Sequence, residues 1–275
     1  MTRHTIAKKL RTIENMKPVG AKARVALITG ASQGIGRAIA ERLASDGAIV
    51  ILNGVRREPL EKTAAEIASR TDDNQVFAIA ADVSDESSVA GMIGDIEARF
   101  GRLDIVINNA GISPRLDGKR PTVEVTPLEH WSRTLAVNLT GAFLVCRAAL
   151  PIMKKGGWGR IVNITSQAGR MNTGFGSAHY SASKAGLIAF SRVLAGEVGS
   201  RGITVNCVSP SRISTAMAAT ISGAEDIDKA YIARTPVGRI GGVEDVVPAV
   251  AFLVSDEASF ITGTIIDVTG GFFMP

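Results

Sequence analysis

Tyr180 and Lys184 lie four residues apart in a chain of 275 residues that contains two tyrosines. In a helix, side chains at positions i and i+4 share one face, so the Lys184 ammonium can lie close to the Tyr180 phenol. A phenol ordinarily has a pKa of about 10, and a neighbouring cation favours the phenolate and lowers that pKa toward neutrality. Ser166 stands fourteen residues before Tyr180. These residues predict a site that moves a hydride to or from a carbonyl carbon while Tyr180 transfers the proton.

A glycine-rich turn provides a candidate phosphate-binding loop. The β-rich run at residues 25–29 leads into Gly30-Ala-Ser-Gln-Gly34-Ile-Gly36, and a helical pattern follows. Gly30 permits a tight turn, Gly34 lets the backbone approach a pyrophosphate, and Gly36 allows close packing of the helix. The start of the helix adds free N–H groups and a partial positive charge. This strand–glycine–helix pattern is typical of a dinucleotide-binding site.

The end of the second predicted strand bears on the choice of dinucleotide. A cofactor with a free ribose 2′-hydroxyl usually meets an acidic residue about 20 positions past the glycines. Here Asn53 and Gly54 stand at that point, followed by Val55, Arg56 and Arg57. Because no carboxylate would repel a 2′-phosphate and two cations could bind it, NADP(H) is favoured over NAD(H). The two arginines could instead form the solvated start of the next helix.

Short β-rich apolar runs alternate with amphipathic helical patterns. The predicted strands span residues 25–29, 49–52, 76–80, 105–108, 161–164, 204–208 and 265–268. The predicted helices span residues 35–46, 58–69, 85–99, 127–153, 178–199 and 244–254. This alternation predicts an α/β fold, a single-domain Rossmann-type doubly wound parallel sheet of about seven strands with helices on both faces.

The basic charge is concentrated at the start of the chain. Residues 1–24 hold seven basic residues and one acidic residue, which leaves 24 basic and 25 acidic residues in the rest. A nucleic-acid groove in the globular body is therefore not expected. We predict a basic N-terminal extension at 1–22 and a dehydrogenase/reductase domain at 23–275. The extension could be disordered, dock on a neighbouring subunit, or reflect a start at Met16 instead of Met1.

The rest of the composition argues against a metalloprotein, a disulfide-stabilised protein and a membrane protein. Cys146 and Cys207 fall in apolar runs and are expected to be buried, reduced thiols. No metal site is expected. No run is expected to approach the roughly 18–20 apolar residues of a membrane span, and no signal-peptide pattern is recognised at the N-terminus. We therefore expect a cytoplasmic protein without membrane association.

Taken together, the ordered motifs resemble the short-chain dehydrogenase/reductase family across residues 23–273. They are Thr29-Gly-x-x-x-Gly-Ile-Gly36, Asn108-Asn-Ala-Gly111, Asn138 in Val137-Asn-Leu-Thr-Gly141, Ser166, Tyr180-x-x-x-Lys184, Ile261-Thr-Gly263 and Gly270-Gly271. Within this family the pattern is similar to 3-oxoacyl-carrier-protein reductases. The Leu52-Asn53-Gly54 stretch is also similar to gluconate 5-dehydrogenase-like members.

The resemblance implies a role for each of four catalytic residues. Tyr180 would be the general acid in reduction and the base in oxidation, and Ser166 would hydrogen-bond the substrate oxygen. Lys184 would bind the nicotinamide ribose and lower the pKa of Tyr180, and Asn138 would position a water that links Lys184 to solvent. The predicted cofactor contacts are Gly30, Ser32, Gln33, Gly34, Ile35, Gly36, Asn53, Gly54, Arg56, Asp82, Val83, Asn109, Ala110, Gly111, Tyr180, Lys184, Pro210, Ile213 and Thr215.

Two departures from the family pattern affect the cofactor prediction. Family members commonly carry Pro-Gly after the sixth strand, where this chain has Pro210-Ser211. Since Ser disfavours a positive φ, the loop over the nicotinamide could bend differently. Gln33 stands where many NADP-using members have a basic residue, which weakens the argument for a bound 2′-phosphate.

The sequence does not identify the substrate. The segments that vary within the family are residues 112–126, with Arg115, Lys119 and Arg120, and residues 211–241, with Arg212 and Arg234. The second is expected to form a mobile lid. Their basic residues could attract an acidic carrier protein, bind a carboxylate substrate, or simply be solvated surface.

The expected activity is an NAD(P)(H)-dependent oxidoreductase that interconverts a ketone and a secondary alcohol. The expected substrate is a small carbonyl or alcohol compound of the 3-oxoacyl thioester or sugar-acid type. The alternative is a non-catalytic dinucleotide-binding sensor or scaffold protein with the same fold. The predicted helix at 178–199 is apolar on more than one face, and family members are mostly dimers or tetramers, so we expect a homotetramer or homodimer.

Overall fold

The computed structural model describes residues 23–71, 75–215 and 223–275. The N-terminal extension predicted at residues 1–22 lies outside the described residues. The strands are β1 (Val25–Ile28), β2 (Ile49–Gly54), β3 (Val76–Ala80), β4 (Ile105–Asn108), β5 (Gly159–Ile164), β6 (Ile203–Pro210) and β7 (Ile265–Val268). They form one sheet in the order β3-β2-β1-β4-β5-β6-β7, and every neighbouring pair is parallel.

Helices connect these strands and cover both faces of the sheet. They are α1 (Gly34–Ser45), α2 (Arg57–Ala68), α3 (Glu86–Phe100), α4 (Leu128–Leu135), α5 (Gly141–Gly156), α6 (Ala178–Val198), α7 (Ala224–Ile232) and α8 (Val243–Val254). A π-helical turn at Ala136–Thr140 joins α4 to α5. Short 3-10 turns follow β5 at Gln167–Gly169 and α6 at Gly199–Arg201.

The core consists of two apolar layers, one on each face of the sheet. Side chains alternate between the faces of a strand, and in β1 Ala26 and Ile28 join one layer while Val25 and Leu27 join the other. The first layer is completed by α1, α2 and α8, and the second by α3, α5 and α6. Burial on both faces explains why the strand sequences read as continuous apolar runs.

The predicted fold class, a single α/β domain around a doubly wound parallel sheet, is confirmed. The strands end within two residues of their predicted positions, and five of the six predicted helices end within one residue. The exception is the helix predicted at 127–153, which is divided by the π-helical turn and continues to Gly156. The period of an α-helix does not reveal such a local widening.

The segment predicted as a mobile lid contains an anchored helix, α7. Within the described part of residues 211–241, the Tyr231 ring stacks on Phe272 with ring centroids 4.7 Å apart. Asp228 on the same helix accepts a hydrogen bond from Arg212 at 2.7 Å. Buried aromatic contact and an ion pair therefore hold this helix against the domain.

The expectation that no run approaches a membrane span needs correction. By length and composition, the helical run Leu128–Gly156 is apolar enough to cross a membrane, with a hydropathy of 1.7. Half of the most apolar stretch of this run is buried inside the protein. Leu144, Val145 and Met153 of this run pack in the second core layer, as in a helix that covers a sheet.

The strand order places a crevice next to the predicted motifs. The connections run outward from β1 toward β3 on one side and from β4 toward β7 on the other, so the order reverses between β1 and β4. At such a reversal the loops that leave the two strands separate, and open α/β sheets bind ligands there. The glycine loop leaves β1 and the Asn109-Ala110-Gly111 loop leaves β4 at this point.

Candidate active site

Ser166, Tyr180 and Lys184 line one cavity of about 400 Å³. Ser166 lies just after β5, and its hydroxyl accepts a hydrogen bond from the Ala168 N–H at 3.2 Å. Tyr180 and Lys184 lie on the first two turns of α6. The end of a strand therefore supplies Ser166 and the helix supplies the other two side chains to one shared space.

Lys184 is buried and held by the backbone of β5. Its ammonium donates a hydrogen bond to the carbonyl oxygen of Ile164 at 2.7 Å, and the residue is 3% exposed. Burial lowers the pKa of Lys184 to about 8, because the charged form loses solvation. An ammonium has three donors, so one hydrogen bond to Ile164 leaves two for other acceptors.

The surroundings of Tyr180 determine the pKa of its phenol. Burial raises the pKa of Tyr180 above its ordinary value, a hydrogen bond with Ser166 opposes that rise, and Tyr231 adds to it. The Lys184 ammonium lies 5.8 Å from the centroid of the Tyr180 ring. In the polypeptide by itself desolvation is the largest effect on the pKa of Tyr180 and Lys184 is directed at Ile164, so the lowering of that pKa by Lys184 stays a prediction for the cofactor-bound protein.

Asn138 lies in the π-helical turn and bonds to two neighbouring segments. Its Oδ1 accepts from the Ile112 N–H at 2.8 Å, and its Nδ2 donates to the Ile112 carbonyl at 2.9 Å. Nδ2 also donates to the Ser183 hydroxyl at 3.0 Å. Asn138 therefore ties the loop after β4 to the helix that carries Tyr180 and Lys184. Single π-helical turns often occur at functional sites.

The glycine loop is fixed by the loop that leaves β4. The Thr29 hydroxyl accepts hydrogen bonds from the Asn109 and Ala110 N–H groups, both at 3.0 Å. The Asn109 side-chain amide donates to the carbonyl oxygens of Thr29 and Gly30 at 2.9 and 3.0 Å. The Asn109 side chain thus holds the loop in place, although the residue also lines the cavity.

Thirteen of the nineteen predicted cofactor contacts line the cavity. They are Gly30, Ser32, Gln33, Gly34, Ile35, Asn109, Ala110, Gly111, Tyr180, Lys184, Pro210, Ile213 and Thr215. Ser211 has a negative φ. Its N–H donates a hydrogen bond to the Val268 carbonyl at 3.1 Å. The loop after β6 therefore reaches the cavity without a glycine.

The shape of the loop fits a dinucleotide phosphate. Gly34 has a φ of +58°, and Thr215 is the neighbour that a Cβ at this position would meet, at 3.7 Å. A side chain on Gly34 would therefore be strained and would enter the space between the two loops. Gln33 caps α1 without a side-chain hydrogen bond, and the first turn holds no acidic residue. The first N–H groups of α1 are consequently available to an anion.

The structure leaves six predicted cofactor contacts outside the cavity lining: Gly36, Asn53, Gly54, Arg56, Asp82 and Val83. Gly36 has a packing role, because a Cβ there would lie 2.4 Å from Asn109 Nδ2 and 2.6 Å from the Gly30 oxygen. The Asn53 amide donates to the carbonyls of Ile79 and Ala81 at 3.2 and 3.1 Å. Asn53 therefore ties the end of β2 to β3.

Asp82 is engaged by protein groups at the end of β3. Its carboxylate accepts from the N–H and hydroxyl of Ser84 at 2.9 and 2.7 Å and from Arg133 at 2.9 Å. Burial raises the pKa of Asp82, but these hydrogen bonds hold it below its usual range. Arg56 is exposed, and Arg57 pairs with Glu61 at 3.3 Å.

The cavity lining also contains residues that the sequence did not single out. Gln167, Thr173, Phe175, Ile227 and Tyr231 line it. The Gln167 amide donates to the Tyr231 hydroxyl at 3.1 Å, and the Phe175 and Tyr231 rings lie 5.1 Å apart. These residues come from separate loops and from α7, so no spacing in the sequence connects them. The chain contains only two tyrosines, and this scarcity could have drawn attention to Tyr231.

Comparison with known proteins gives matches along almost the whole chain. A family model described as enoyl-(acyl carrier protein) reductase matches residues 30–273. The chain is 42% identical over 253 residues to a 3-oxoacyl-[acyl-carrier-protein] reductase of Escherichia coli, covering 92% of this chain and 98% of that one. It is 38% identical over 255 residues to an acetoacetyl-CoA reductase of Allochromatium vinosum, covering 92% and 99%.

A solved structure gives the same result at the level of the fold. A 3-oxoacyl-[acyl-carrier protein] reductase from Brucella melitensis with bound NAD has a TM-score of 0.84 and is 34% identical, covering 95% of this chain and 98% of that one. The strand order, the glycine loop and the grouping of Ser166, Tyr180 and Lys184 agree with these relatives in pointing to one group of enzymes. The chain belongs to the short-chain dehydrogenase/reductase family of oxidoreductases.

Proposed function

We propose that this protein catalyses the reversible NAD(P)(H)-dependent interconversion of a ketone and a secondary alcohol, which is the reaction class EC 1.1.1.-. The observation that carries the proposal is the shared cavity. It is lined by the glycine loop, by Ser166, Tyr180 and Lys184, and by Gln167 and Tyr231. A dinucleotide on the loop and a carbonyl at Tyr180 would therefore share one space.

The reactive chemistry is divided between the cofactor and the side chains. A bound nicotinamide supplies or accepts the hydride. Tyr180 donates the proton to the carbonyl oxygen in reduction and removes it in oxidation, and Ser166 hydrogen-bonds the same oxygen as charge develops. Lys184 binds the ribose hydroxyls through the donors that Ile164 leaves available. Asn138 holds α6 against the loop after β4. It also positions the water that resupplies protons.

The raised pKa of Tyr180 is consistent with this division of roles. In reduction the phenol must hold its proton until charge develops on the substrate oxygen, and burial favours the protonated form. We propose that positive charge near the bound nicotinamide, together with Lys184, lowers the pKa of Tyr180 when the cofactor is present.

For the cofactor we propose NADP(H) over NAD(H). Arg56 is exposed at the end of β2, near the start of α2, and no carboxylate occupies positions 53–57. Arg57 is less suited to this role because it pairs with Glu61. Arg37 is also unsuited, because it forms ion pairs with Glu41 and Glu66 at 2.9 and 2.8 Å.

The proposed substrates are 3-oxoacyl thioesters and sugar-acid type compounds. The relatives that act, by their names, on 3-oxoacyl carrier protein and acetoacetyl-CoA support the first class. We further propose that the protein is a cytoplasmic homotetramer or homodimer that binds neither nucleic acid nor membrane. Phe143 of α5 and Val193 of α6 are exposed apolar residues that a partner subunit would cover.

The proposal is tested by the variant Tyr180→Phe. Oxidation of NADPH and NADH is followed by absorbance, separately, with 3-oxoacyl thioesters, keto sugar acids and simple ketones. Turnover should fall about 100- to 10,000-fold in the variant, while cofactor binding, measured by nicotinamide fluorescence, should persist. Tyr231→Phe is the matched control, because it removes the hydroxyl of the other tyrosine in the cavity and should lower turnover far less.

Equal turnover by Tyr180→Phe and the wild-type protein would refute the proposed chemistry. Tight cofactor binding with no turnover of any compound would favour the alternative of a dinucleotide-binding sensor or scaffold.

A further inference from the structure

Arg115 lines the cavity, and no acidic residue pairs with it in the part of the chain that the structure describes. It lines the same space as Ser166 and Tyr180 and is partly buried. A buried guanidinium normally pairs with a carboxylate or phosphate, since an uncompensated buried charge is costly. Arg115 is therefore a cation whose environment lacks the expected anion.

Other guanidinium groups add positive charge near Arg115. Arg212 also lines the cavity, and its side chain is 10% exposed. Burial lowers the pKa of Arg115, and the charges of Arg212 and Arg120 lower it further. Asp228 pairs with Arg212 at 2.7 Å, so this carboxylate is already engaged. An anion entering the cavity would relieve the repulsion between Arg115 and Arg212.

We propose that the substrate carries its own free carboxylate and that Arg115 binds it, which makes Arg115 a specificity-determining residue. This inference rests on the proposed function, because it assumes that the reacting carbonyl lies at Ser166 and Tyr180. A guanidinium can bind a carboxylate through two parallel N–H···O hydrogen bonds. Such a pair would orient the carbonyl relative to Tyr180 as well as add affinity. The favoured substrates are thus oxo acids and the corresponding hydroxy acids, which selects the sugar-acid type over the 3-oxoacyl thioesters among the proposed classes.

A carrier protein is a different explanation for basic residues in this region. Lys119 and Arg120 are exposed on the same loop, and Arg120 donates to the Gly176 carbonyl at 3.1 Å. These two residues could contact an acidic protein surface. Arg115 differs from them because it lines the interior of the cavity, where only the part of a substrate that enters can reach it. The location therefore favours a carboxylate on the substrate itself.

The test compares acids with their neutral esters. Acetoacetate and 4-oxopentanoate are each paired with their methyl esters, and both turnover and thermal stabilisation of the protein are measured with NADP(H) present. We expect the wild-type protein to favour the acids at least tenfold in kcat/KM. Arg115→Met should remove that preference by raising KM for the acids while leaving the esters unchanged. Lys119→Met is the control, because it removes one positive charge from the same loop outside the cavity lining.

Binding and turnover separate this proposal from the proposed function. If the acids stabilise the wild-type protein more than the esters and Arg115→Met loses the difference, the anion site is supported even without turnover. If acids and esters bind and react alike, or if Arg115→Met weakens both equally, the carboxylate proposal is overturned while the reductase activity stands. An equal loss in Lys119→Met would point to surface attraction, such as that of a carrier protein, and would also overturn it.

Discussion

The side chain of Asn138 forms two hydrogen bonds with the backbone of Ile112, one in each direction, at 2.8 and 2.9 Å. Ile112 follows the Asn109-Ala110-Gly111 loop, which lines the cavity. A third hydrogen bond joins Asn138 to Ser183 on α6, the helix that carries Tyr180 and Lys184. Asn138 is thus a positioning residue for both walls of the site. Its inward orientation depends on the π-helical turn, which changes the angular position of the residues within it.

Replacing Asn138 tests this positioning role. In Asn138→Ala the Ile112 N–H and C=O lose their partner, and the Ser183 hydroxyl keeps only its hydrogen bond to the Tyr180 carbonyl, so the free energy of unfolding should fall by about 1–3 kcal/mol. Turnover should fall as well, with little change in KM. Asn138→Asp keeps the acceptor for the Ile112 N–H but loses both donors, and it should give an intermediate loss. Urea unfolding and steady-state kinetics provide the two measurements, and unchanged values in Asn138→Ala would contradict the role.

The buried ammonium of Lys184 predicts a pH dependence of stability. Burial lowers its pKa from 10.5 to about 8, so below pH 8 the lysine is charged in both states and the full cost of burying it is present. Between pH 8 and 10.5 the unfolded chain binds more protons than the folded protein. The free energy of unfolding therefore rises with pH in this window, by on the order of 3 kcal/mol at most.

Lys184→Met should remove this rise. From pH 8 to 10.5 the free energy of unfolding of the wild-type protein should rise relative to that of Lys184→Met. Urea unfolding at several pH values measures this difference. Lys62→Met is the control, because Lys62 is exposed on α2 and its loss should preserve the wild-type profile. A constant difference between wild type and Lys184→Met across this window would contradict the prediction.

Gly36 and Gly91 should respond in opposite directions to the same substitution. A Cβ on Gly36 would lie 2.6 Å from the Gly30 carbonyl oxygen and 2.4 Å from the Asn109 amide, so Gly36→Ala should displace the glycine loop. We expect a loss of about 1–3 kcal/mol in the free energy of unfolding and weaker NADPH binding. A Cβ on Gly91 would meet nothing within 4 Å, so Gly91→Ala in α3 should stabilise the protein by about 0.5–1 kcal/mol.

Urea unfolding and NADPH fluorescence titration check both glycine variants. Wild-type binding of NADPH is expected for Gly91→Ala, which does not touch the loop. A stable Gly36→Ala protein that binds NADPH normally would show that the loop tolerates the added methyl group and would refute the packing argument.

The sequence predicted those features whose physical cause is local. Short β-rich apolar runs placed the strands, because a strand covered on both faces needs apolar residues throughout. The i, i+4 spacing placed Tyr180 and Lys184 on one helical face. The glycine spacing after the first strand predicted the phosphate-binding loop. Each of these inferences depends on neighbours within a few residues along the chain.

Features that depend on distant neighbours were missed or misjudged. The engagement of Asn53 with Ile79 and Ala81 appears only when β2 and β3 pair. The pKa of Tyr180 depends on how much protein surrounds the phenol, which no spacing reveals. The helix α7 is amphipathic but short, and its position is set by the stacking of Tyr231 on Phe272. Tertiary packing decided all three.

The proposed preference for NADP(H) leads to a prediction that distinguishes two adjacent arginines. Arg56 is exposed at the N-terminal cap of α2, whereas Arg57 pairs with Glu61 one helical turn away. If Arg56 binds a 2′-phosphate, Arg56→Ala should raise KM for NADPH about tenfold, equivalent to about 1.4 kcal/mol, and leave KM for NADH unchanged. Arg57→Ala should have a much smaller effect on either cofactor. The contrast should weaken at high salt, because an exposed ion pair with phosphate is screened. Equal discrimination between NADPH and NADH in wild type and Arg56→Ala would remove Arg56 from the cofactor site.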